Sequence, residues 1–424
     1  MIKAIVGINW GDEGKGKMTD YFATDVDCVI RYQGGDNAGH TVINEKGKFA
    51  FHNIPSGISY DNVLCIIGPG SVINPESFSK EIEELKKQGL KTENIIISDR
   101  ANIIFPFHRL LDELEDQRLK DKKYGSTKSG IAPVYGDKYM KKGIQAGELF
   151  HPDYLKEHLA DLLDFSNMKL KGIYKEKAIE LEDVLSWLKK YQDNVKPYIK
   201  NIQAIISDLI NNDKKILMEA QLGALRDITH GIYPYTTSSS VLAGYSCASI
   251  PIPPRKIEEI IGISKAYSTC VGAGEFVTEM NDNEEDLANY IREKGGEYGA
   301  TTGRPRRIGY FDAVASKYGV RLQSADTMVL TCLDVLSGIE ELKICTHYQI
   351  DNKKTDIFPL YPELIKAKPI YETLPGWQED IQGITKYNDL PLNAKKYVSR
   401  IEELCDIAIK YISTGPKRSS VIEV

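Results

Sequence analysis

A global positive excess is missing from this chain of 424 residues: 54 Lys and Arg stand against 60 Asp and Glu, a net charge of -6. Proteins that coat nucleic acid need such an excess, so that class is excluded and any anionic ligand must be met by a local cluster. Cysteine is sparse. The seven cysteines, at 28, 65, 247, 270, 332, 345 and 405, form no CxxC pair and none has a His at metal-ligand spacing, which reads as buried thiols of a reducing cytosol. Long apolar runs are also absent: the opening MIKAIVGINWGDEG is too short for a membrane span and lacks a signal-peptide cleavage pattern, so a soluble cytoplasmic protein is expected. Linkers rich in Ser/Gly or Pro and repeats of about 20 to 50 residues are missing too. One large domain over 1–424 is therefore expected, although the length is about three times the usual domain of roughly 150 residues. With 42% apolar and 27% charged residues, disordered, collagen-like and coiled-coil classes are out.

What is present is a series of short β-branched runs: KAIVGIN (2–8), VDCVIRY (26–32), NVLCIIG (62–68), NIIIS (94–98), KILME (215–219), MVLTCLD (328–334) and ELKICTHY (341–348). They alternate with helical patterns such as PESFSKEIEELKKQGL and PRKIEEIIGISKAY. The expected fold class is α/β, a large mostly parallel central sheet flanked by helices and similar to P-loop NTPases. A stripe of Leu155, Leu159, Leu162 and Leu163 predicts a helical insertion over about 150–212 that packs on the sheet.

Four segments carry candidate chemistry. Gly11-Asp12-Glu13-Gly14-Lys15-Gly16-Lys17-Met18 follows the first strand and has GxxxxGK spacing, in which backbone N–H groups and a helix N-terminus surround phosphate oxygens. Met18 replaces the usual magnesium-binding hydroxyl, and a carboxylate inside the loop, Asp12, is placed to take over metal binding and chemistry. The second segment runs from Arg31 to Thr41. Glycines 34, 35 and 39 let backbone approach a ligand, while Asn37 and His40 offer an amide and a general acid. Gly299-Ala300-Thr301-Thr302-Gly303-Arg304-Pro305-Arg306-Arg307 gathers two hydroxyls and three guanidinium groups for an anionic substrate. Asp334, after a strongly apolar strand, suits the N1 and 2-amino donors of guanine, which adenine lacks.

GDEGKGK, RYQGGDNAGHT, HGIYPYTTSS, KAYSTCVGAG, GATTGRPRR, TCLDVL, IYETLPGW and STGP occur in this order between residues 5 and 416, and together they resemble the adenylosuccinate synthetase family. The resemblance implies a magnesium-dependent homodimer that joins IMP to L-aspartate with GTP hydrolysis, through a 6-phosphoryl-IMP intermediate, on the route to AMP. It makes Asp12 the base for the N1 proton of IMP and His40 the acid in phosphoryl transfer, with Asp12 and the Gly39 carbonyl holding magnesium. GTP would meet Gly11, Asp12, Glu13, Gly14, Lys15, Gly16, Lys17, Gly39, His40, Thr41, Arg306, Cys332, Leu333, Asp334, Ser413, Thr414 and Gly415. IMP would meet Asp12, Glu13, Gly14, Lys15, Asn37, Ala38, Gly39, His40, Thr127, Leu222, Thr237 and Arg304, with Lys141 lent by the partner subunit. Aspartate would meet Ala300, Thr301, Thr302, Gly303, Arg304, Pro305 and Arg306.

The sequence departs from the family pattern around the ligands. The guanine-site lysine is Cys332, the lent arginine is Lys141, and the IMP-site glutamine is Leu222 with Gln221 one position early. Pro305 replaces a third consecutive arginine, and the loop 125–130 lacks the usual arginine. Two rivals compete with this ligase. A GTP-binding switch is suggested by GxxxxGK, by Asp36-Asn37-Ala38-Gly39 as DxxG, and by Asp334, but Met18 and the long interval to Asp334 oppose it. A relative acting on dGMP is opposed by Asp12, which is typically serine in such enzymes.

Overall fold

The computed structural model describes every residue except Ala38 and 300–302. Ten strands form the central sheet: β1 (Ile2–Gly7), β2 (Cys28–Arg31), β3 (Leu64–Ile67), β4 (Ile95–Ser98), β5 (Ile199–Lys200), β6 (Ile216–Gly223), β7 (Ile257–Lys265), β8 (Thr327–Thr331), β9 (Ile409–Ser413) and β10 (Val421–Glu423). Their spatial order is β10-β9-β8-β7-β1-β6-β2-β3-β4-β5. Every neighbouring pair is parallel except β9 and β10. Helices cover both faces of such a sheet, which explains why β2, β4 and β8 are buried at every position and read as largely apolar runs.

β1 sits at the middle of the sheet, with Ala4 opposite Met218 on one side and Ile260 on the other. The loops leaving the carboxyl ends of β1, β2, β7, β8 and β9 therefore converge along one edge. Open parallel sheets bind ligands at that edge.

Local chemistry sets the helices. In α1 (Lys15–Ala23) the N-cap is Gly14 at φ +90°, so the first backbone N–H groups are not covered by a capping side chain. α2 (Pro75–Lys87) starts where Asn74 accepts from the amides of Glu76 and Ser77 at 3.0 and 3.3 Å, with Pro75 in the first turn. α3 (Pro106–Leu119) and α4 (Ile131–Tyr139) flank the loop that carries Thr127. The expected helices of 150–212 are α5 (Pro152–Lys169), α6 (Leu181–Val195) and α7 (Ile202–Asn211). Leu155, Leu159, Leu162 and Leu163 of α5 are buried in the same core as Val29 of β2 and Ile67 of β3.

Two expectations are corrected. PRKIEEIIGISKAY is not a helix: residues 257–265 are β7, a central strand. Ile257, Ile260 and Ile261 mimic helical spacing, but β-branched side chains between two parallel neighbours favour the pleated form. Gly262 also packs tightly there, since a Cβ on it would lie 2.5 Å from Ile8 Cδ1. ELKICTHY is a strand but not in the central sheet. Ile339–Ile350 pairs antiparallel with Lys353–Thr355 and Lys368–Trp377, and parallel with Phe311–Asp312, in a separate four-stranded sheet. The apolar run identified a strand without identifying its partner.

Leu159 is fully buried, so Leu159→Ala should cost about 2–5 kcal/mol. Urea denaturation should show a single transition at lower midpoint. An early separate transition with the sheet intact would mean that the helices of 150–212 stand alone.

Candidate active site

The loop after β1 is folded around a buried carboxylate. Glu13 Oε1 accepts from the amides of Asn9 and Gly11 at 3.1 and 2.8 Å, and Oε2 accepts from Lys15 Nζ at 2.6 Å. Both side chains are only 2% exposed. The backbone reverses through Gly11 at φ +111°, Asp12 at +59° and Gly14 at +90°, and Thr331 Oγ1 of β8 donates to the Glu13 carbonyl at 2.7 Å. This turn leaves the Asp12 carboxylate one-third exposed on the cleft wall. Asp12 Oδ2 lies 3.2 Å from Arg306 Nε, an ion pair by distance without hydrogen-bond alignment.

The second loop presses directly on α1. A Cβ on Gly16 would lie 2.7 Å from His40 Cβ, so glycine is needed for the two loops to meet. His40 Nδ1 lies 2.6 Å from Glu219 Oε1 of β6, and Glu219 also accepts from the Ser56 hydroxyl at 2.6 Å and the Ser56 amide at 3.0 Å. Burial lowers the pKa of His40, opposed by the Glu219 charge. Burial alone would push the Glu219 carboxyl up, but His40, Arg31 and Ser56 hold it below the usual range. The pair thus favours an ionised Glu219 that accepts a hydrogen bond from Nδ1–H, which orients the ring and, when His40 is protonated, leaves Nε2–H free to donate. Gln221 Nε2 donates to Asn37 Oδ1 at 2.6 Å, while Gln221 Oε1 accepts from Gly35 N and Arg31, both at 2.9 Å. Asp36 accepts from Ser77 in the first turn of α2 at 2.7 Å, so its side chain is used in packing rather than as a switch carboxylate.

The opposite wall holds the remaining charges. Lys17 Nζ donates to Ser413 Oγ at 2.6 Å, the Gly415 carbonyl at 2.7 Å and the Ser420 carbonyl at 3.0 Å. Burial lowers its pKa to about 8, against the raising influence of Cys332 and Asp334. β8 ends at Thr331, Cys332 reverses the chain at φ +59°, and Asp334 lies in the following 3-10 turn. Burial pushes the Cys332 thiol up to about 11 and raises the Asp334 carboxyl. Arg306 bonds Glu297 at 2.5 Å, and Glu297 accepts from Lys265 at 2.6 and 2.7 Å and from Tyr267 at 2.6 Å.

These walls enclose a cleft of about 840 Å³. It gathers Asp12, Gly14, Lys15, Gly16 and Lys17 from the first loop, and Asn37, Gly39, His40 and Thr41 from the second. Thr127, Leu222, Thr237, Arg304 and Arg306 line it from one side, and Cys332, Asp334, Ser413 and Gly415 from the other. Leu333 and Thr414 are fully buried behind that wall, and Glu13 braces the loop from within. Gly11, Gly303 and Pro305 adjoin the lining without forming it. Lys141 is exposed, past the end of α4 at φ +62°, and does not line its own chain's cleft. Ala38, Ala300, Thr301 and Thr302 lie outside the described residues. Sequence reading missed Glu219, although the strand that carries it was recognised, because its partner His40 is 179 residues away. It also missed Lys265 and Glu297.

A glycine-rich loop on a helix N-terminus, a buried lysine beside it, a carboxylate and a Glu-backed histidine on one cleft define a nucleotide-dependent α/β enzyme. A sequence model of the adenylosuccinate synthetase family matches residues 4–422. The adenylosuccinate synthetase of Caldanaerobacter subterraneus subsp. tengcongensis is 44% identical over 424 residues, covering 99% of this chain and 98% of the relative. That of Alkaliphilus metalliredigens is 46% identical over 419 residues, covering 99% and 97%. The structure of fully ligated adenylosuccinate synthetase from Plasmodium falciparum superposes with a TM-score of 0.93 at 35% identity, covering 100% of this chain and 99% of that one. Cyanophage S-2L succinoaminodeoxyadenylate synthetase, bound to dGMP and dATP, shares the fold with a TM-score of 0.60 at 18% identity, over 100% and 95%.

The chain belongs to the adenylosuccinate synthetase family. It is a ligase of AMP biosynthesis that joins IMP to L-aspartate at the expense of GTP, and neither the switch nor the dGMP alternative is favoured.

Because Lys17 has a pKa near 8 and phosphate oxygens favour its charged form, GTP binding at pH 8.5 should take up protons. Affinity should fall as pH rises above 8. Calorimetry in buffers of different ionisation enthalpy reads this directly, and a binding heat independent of buffer would remove Lys17 from the phosphate site.

Proposed function

We propose that Asp12 removes the N1 proton of IMP, so that O6 attacks the γ-phosphorus of GTP and GDP leaves. His40, backed by Glu219, donates a hydrogen bond to the charge that develops during this transfer. The amine of aspartate then attacks C6, the C6–O bond breaks, and inorganic phosphate departs with the 6-oxygen. A purine 6-oxygen is a poor leaving group until it is phosphorylated, which explains why one cleft must serve both steps. The observation that carries this reading is that Asp12 and His40, the latter backed by Glu219 and packed on Gly16 of α1, line one cleft with the buried Lys17.

The Asp12 carboxylate and the Gly39 carbonyl are hard oxygen donors on the cleft wall, the type magnesium prefers. Among the described residues no group of three or more His, Cys, Asp or Glu could hold a metal. Asp12 and Gly39 would hold magnesium together with the nucleotide, and it would supply positive charge against the phosphates. Guanine reads Asp334 and the turn 413–415, IMP lies between Asn37, Thr127, Thr237 and Arg304, and the carboxylates of aspartate meet the segment 300–306. The whole chain acts as one catalytic domain in a cytoplasmic homodimer, in which Lys141 reaches the IMP phosphate of the partner's site as a point charge. No helix among the described residues is long and apolar enough to cross a membrane.

The deciding experiment offers each nucleoside monophosphate with aspartate, and GTP or ATP as donor. IMP with GTP should be used best, with GTP preferred about 10²-fold or more, because adenine leaves the Asp334 carboxylate unpaired. Asp12→Ala should lose about 10²-fold or more in kcat with the fold intact. Activity within tenfold of the parent would exclude Asp12 as the base.

Glu219→Gln tests the histidine. Removing the charge that opposes burial should lower the His40 pKa further, so the alkaline limb of kcat should move to lower pH and kcat should fall about tenfold or more, with KM for GTP nearly unchanged. A rise in KM alone would make the pair a binding element.

A further inference from the structure

The buried cations around the cleft differ in one respect. Lys15 is neutralised by Glu13, and Lys265 and Arg306 by Glu297. Lys17 has only hydroxyl and carbonyl partners. Arg31, behind the cleft wall, bonds the His52 carbonyl and Gln221, and Arg226, which lines the cleft, is a further exception. It closes the single 3-10 turn Ala224–Arg226 after β6 and is 7% exposed. NH1 donates to the carbonyls of Tyr235 and, at 3.2 Å, Ala273; NH2 donates to the Val271 carbonyl at 2.7 Å and to Cys270 Sγ at 3.0 Å. Among the described residues no carboxylate oxygen lies within 4.0 Å of its nitrogens. Neighbouring Asp227 is turned elsewhere, accepting from Thr229, His230, Ser240 and Val241.

A guanidinium buried without a counter-charge is costly unless an anion completes it. Lys17 faces the phosphate-loop end of the cleft. Arg226 lines the same cleft beside the residues assigned above to IMP. Its carbonyl accepts from the Thr237 amide at 2.9 Å. The segment it braces touches the Thr127 loop, because a Cβ on Gly125 would lie 2.8 Å from Gly272 Cα.

We propose that Arg226 is a positioning residue for the nucleoside monophosphate: it fixes segments 235–237 and 271–273 and supplies the uncompensated positive charge that the IMP phosphate neutralises. This rests on the IMP reading above. Its bonds to the carbonyls of Tyr235, Val271 and Ala273 account for the brace, and the missing carboxylate accounts for the charge. Phosphate, rather than a carboxylate of aspartate, is assigned because Thr127 and Thr237 flank it.

Two full-length variants separate brace from charge. Arg226→Lys keeps the charge with fewer donors, and Arg226→Gln keeps donors without the charge. Steady-state kinetics with IMP, GTP and aspartate varied in turn, at several KCl concentrations, should show Arg226→Gln raising KM for IMP about tenfold or more with KM for GTP within about threefold, and with a shallower salt dependence of the IMP KM. Arg226→Lys should stay within about threefold of the parent for IMP. A merely structural role would raise all KM values together, lower the thermal midpoint of both variants and leave the salt dependence unchanged, and that outcome overturns the proposal. So does an effect confined to aspartate. If Arg226→Gln does not fold, the lysine variant still decides: a tenfold loss for IMP despite the retained charge overturns the electrostatic role. A parent chain without IMP-dependent consumption of aspartate would overturn the functional reading itself, whereas an active parent with an unaltered Arg226→Gln variant overturns this inference alone.

Discussion

The buried carboxylate of Glu13 organises everything that faces the cleft. Added Cβ atoms on Gly7 and Gly223 would lie 2.7 and 2.4 Å from its two oxygens, so two glycines at the ends of adjacent strands form the notch that admits it. Inside that notch it fixes the amides of Asn9 and Gly11 and the ammonium of Lys15. Removing either member of such a pair would leave a charge buried without a partner. The loop is consequently rigid where it turns and open where Asp12 protrudes. A carboxylate proposed as the base benefits from this division, because its position is set by backbone rather than by its own contacts.

From this centre the organisation spreads along the strand ends. β6 carries Glu219 to His40 and Gln221 to Asn37, so one strand positions two side chains of the neighbouring loop. β8 ties Thr331 to the Glu13 carbonyl before Cys332 reverses the chain. The Lys265–Glu297–Arg306 chain reaches Asp12 from β7. Each connection joins residues far apart in sequence, which is the arrangement expected where parallel strands bring their carboxyl ends together.

That arrangement also decides what could be read from the residues alone. The strands at 2–8, 26–32, 62–68, 94–98, 215–219 and 328–334 were legible because a covered parallel sheet demands apolar residues on both faces. Asp12, His40 and Arg306 were legible as candidates because they lie in contiguous segments, and the fold brings all three to one cleft. Residues 254–267 were misread since isoleucines at 257, 260 and 261 satisfy a helical period as well as a strand. The run at 341–348 revealed its conformation but not its sheet. Glu219, Glu297 and Arg226 stayed hidden because their meaning depends on tertiary neighbours: a charged residue in or just beyond a strand or helix is unremarkable until the fold shows what it faces.

The three bonds from Lys17 to the 413–420 segment have a consequence for how a ligand is sensed. On the function proposed above, the ammonium that would face the phosphates also holds the chain that would frame the base pocket. Phosphates that draw Lys17 toward themselves loosen that frame, and a base seated against it tightens the frame and frees the lysine from doing so alone. The two ends of one nucleotide are therefore thermodynamically linked through a single side chain. Isolated fragments, a triphosphate without its base or a nucleoside without its phosphates, meet a cleft that is only half organised, and their separate affinities do not add up to that of the intact nucleotide.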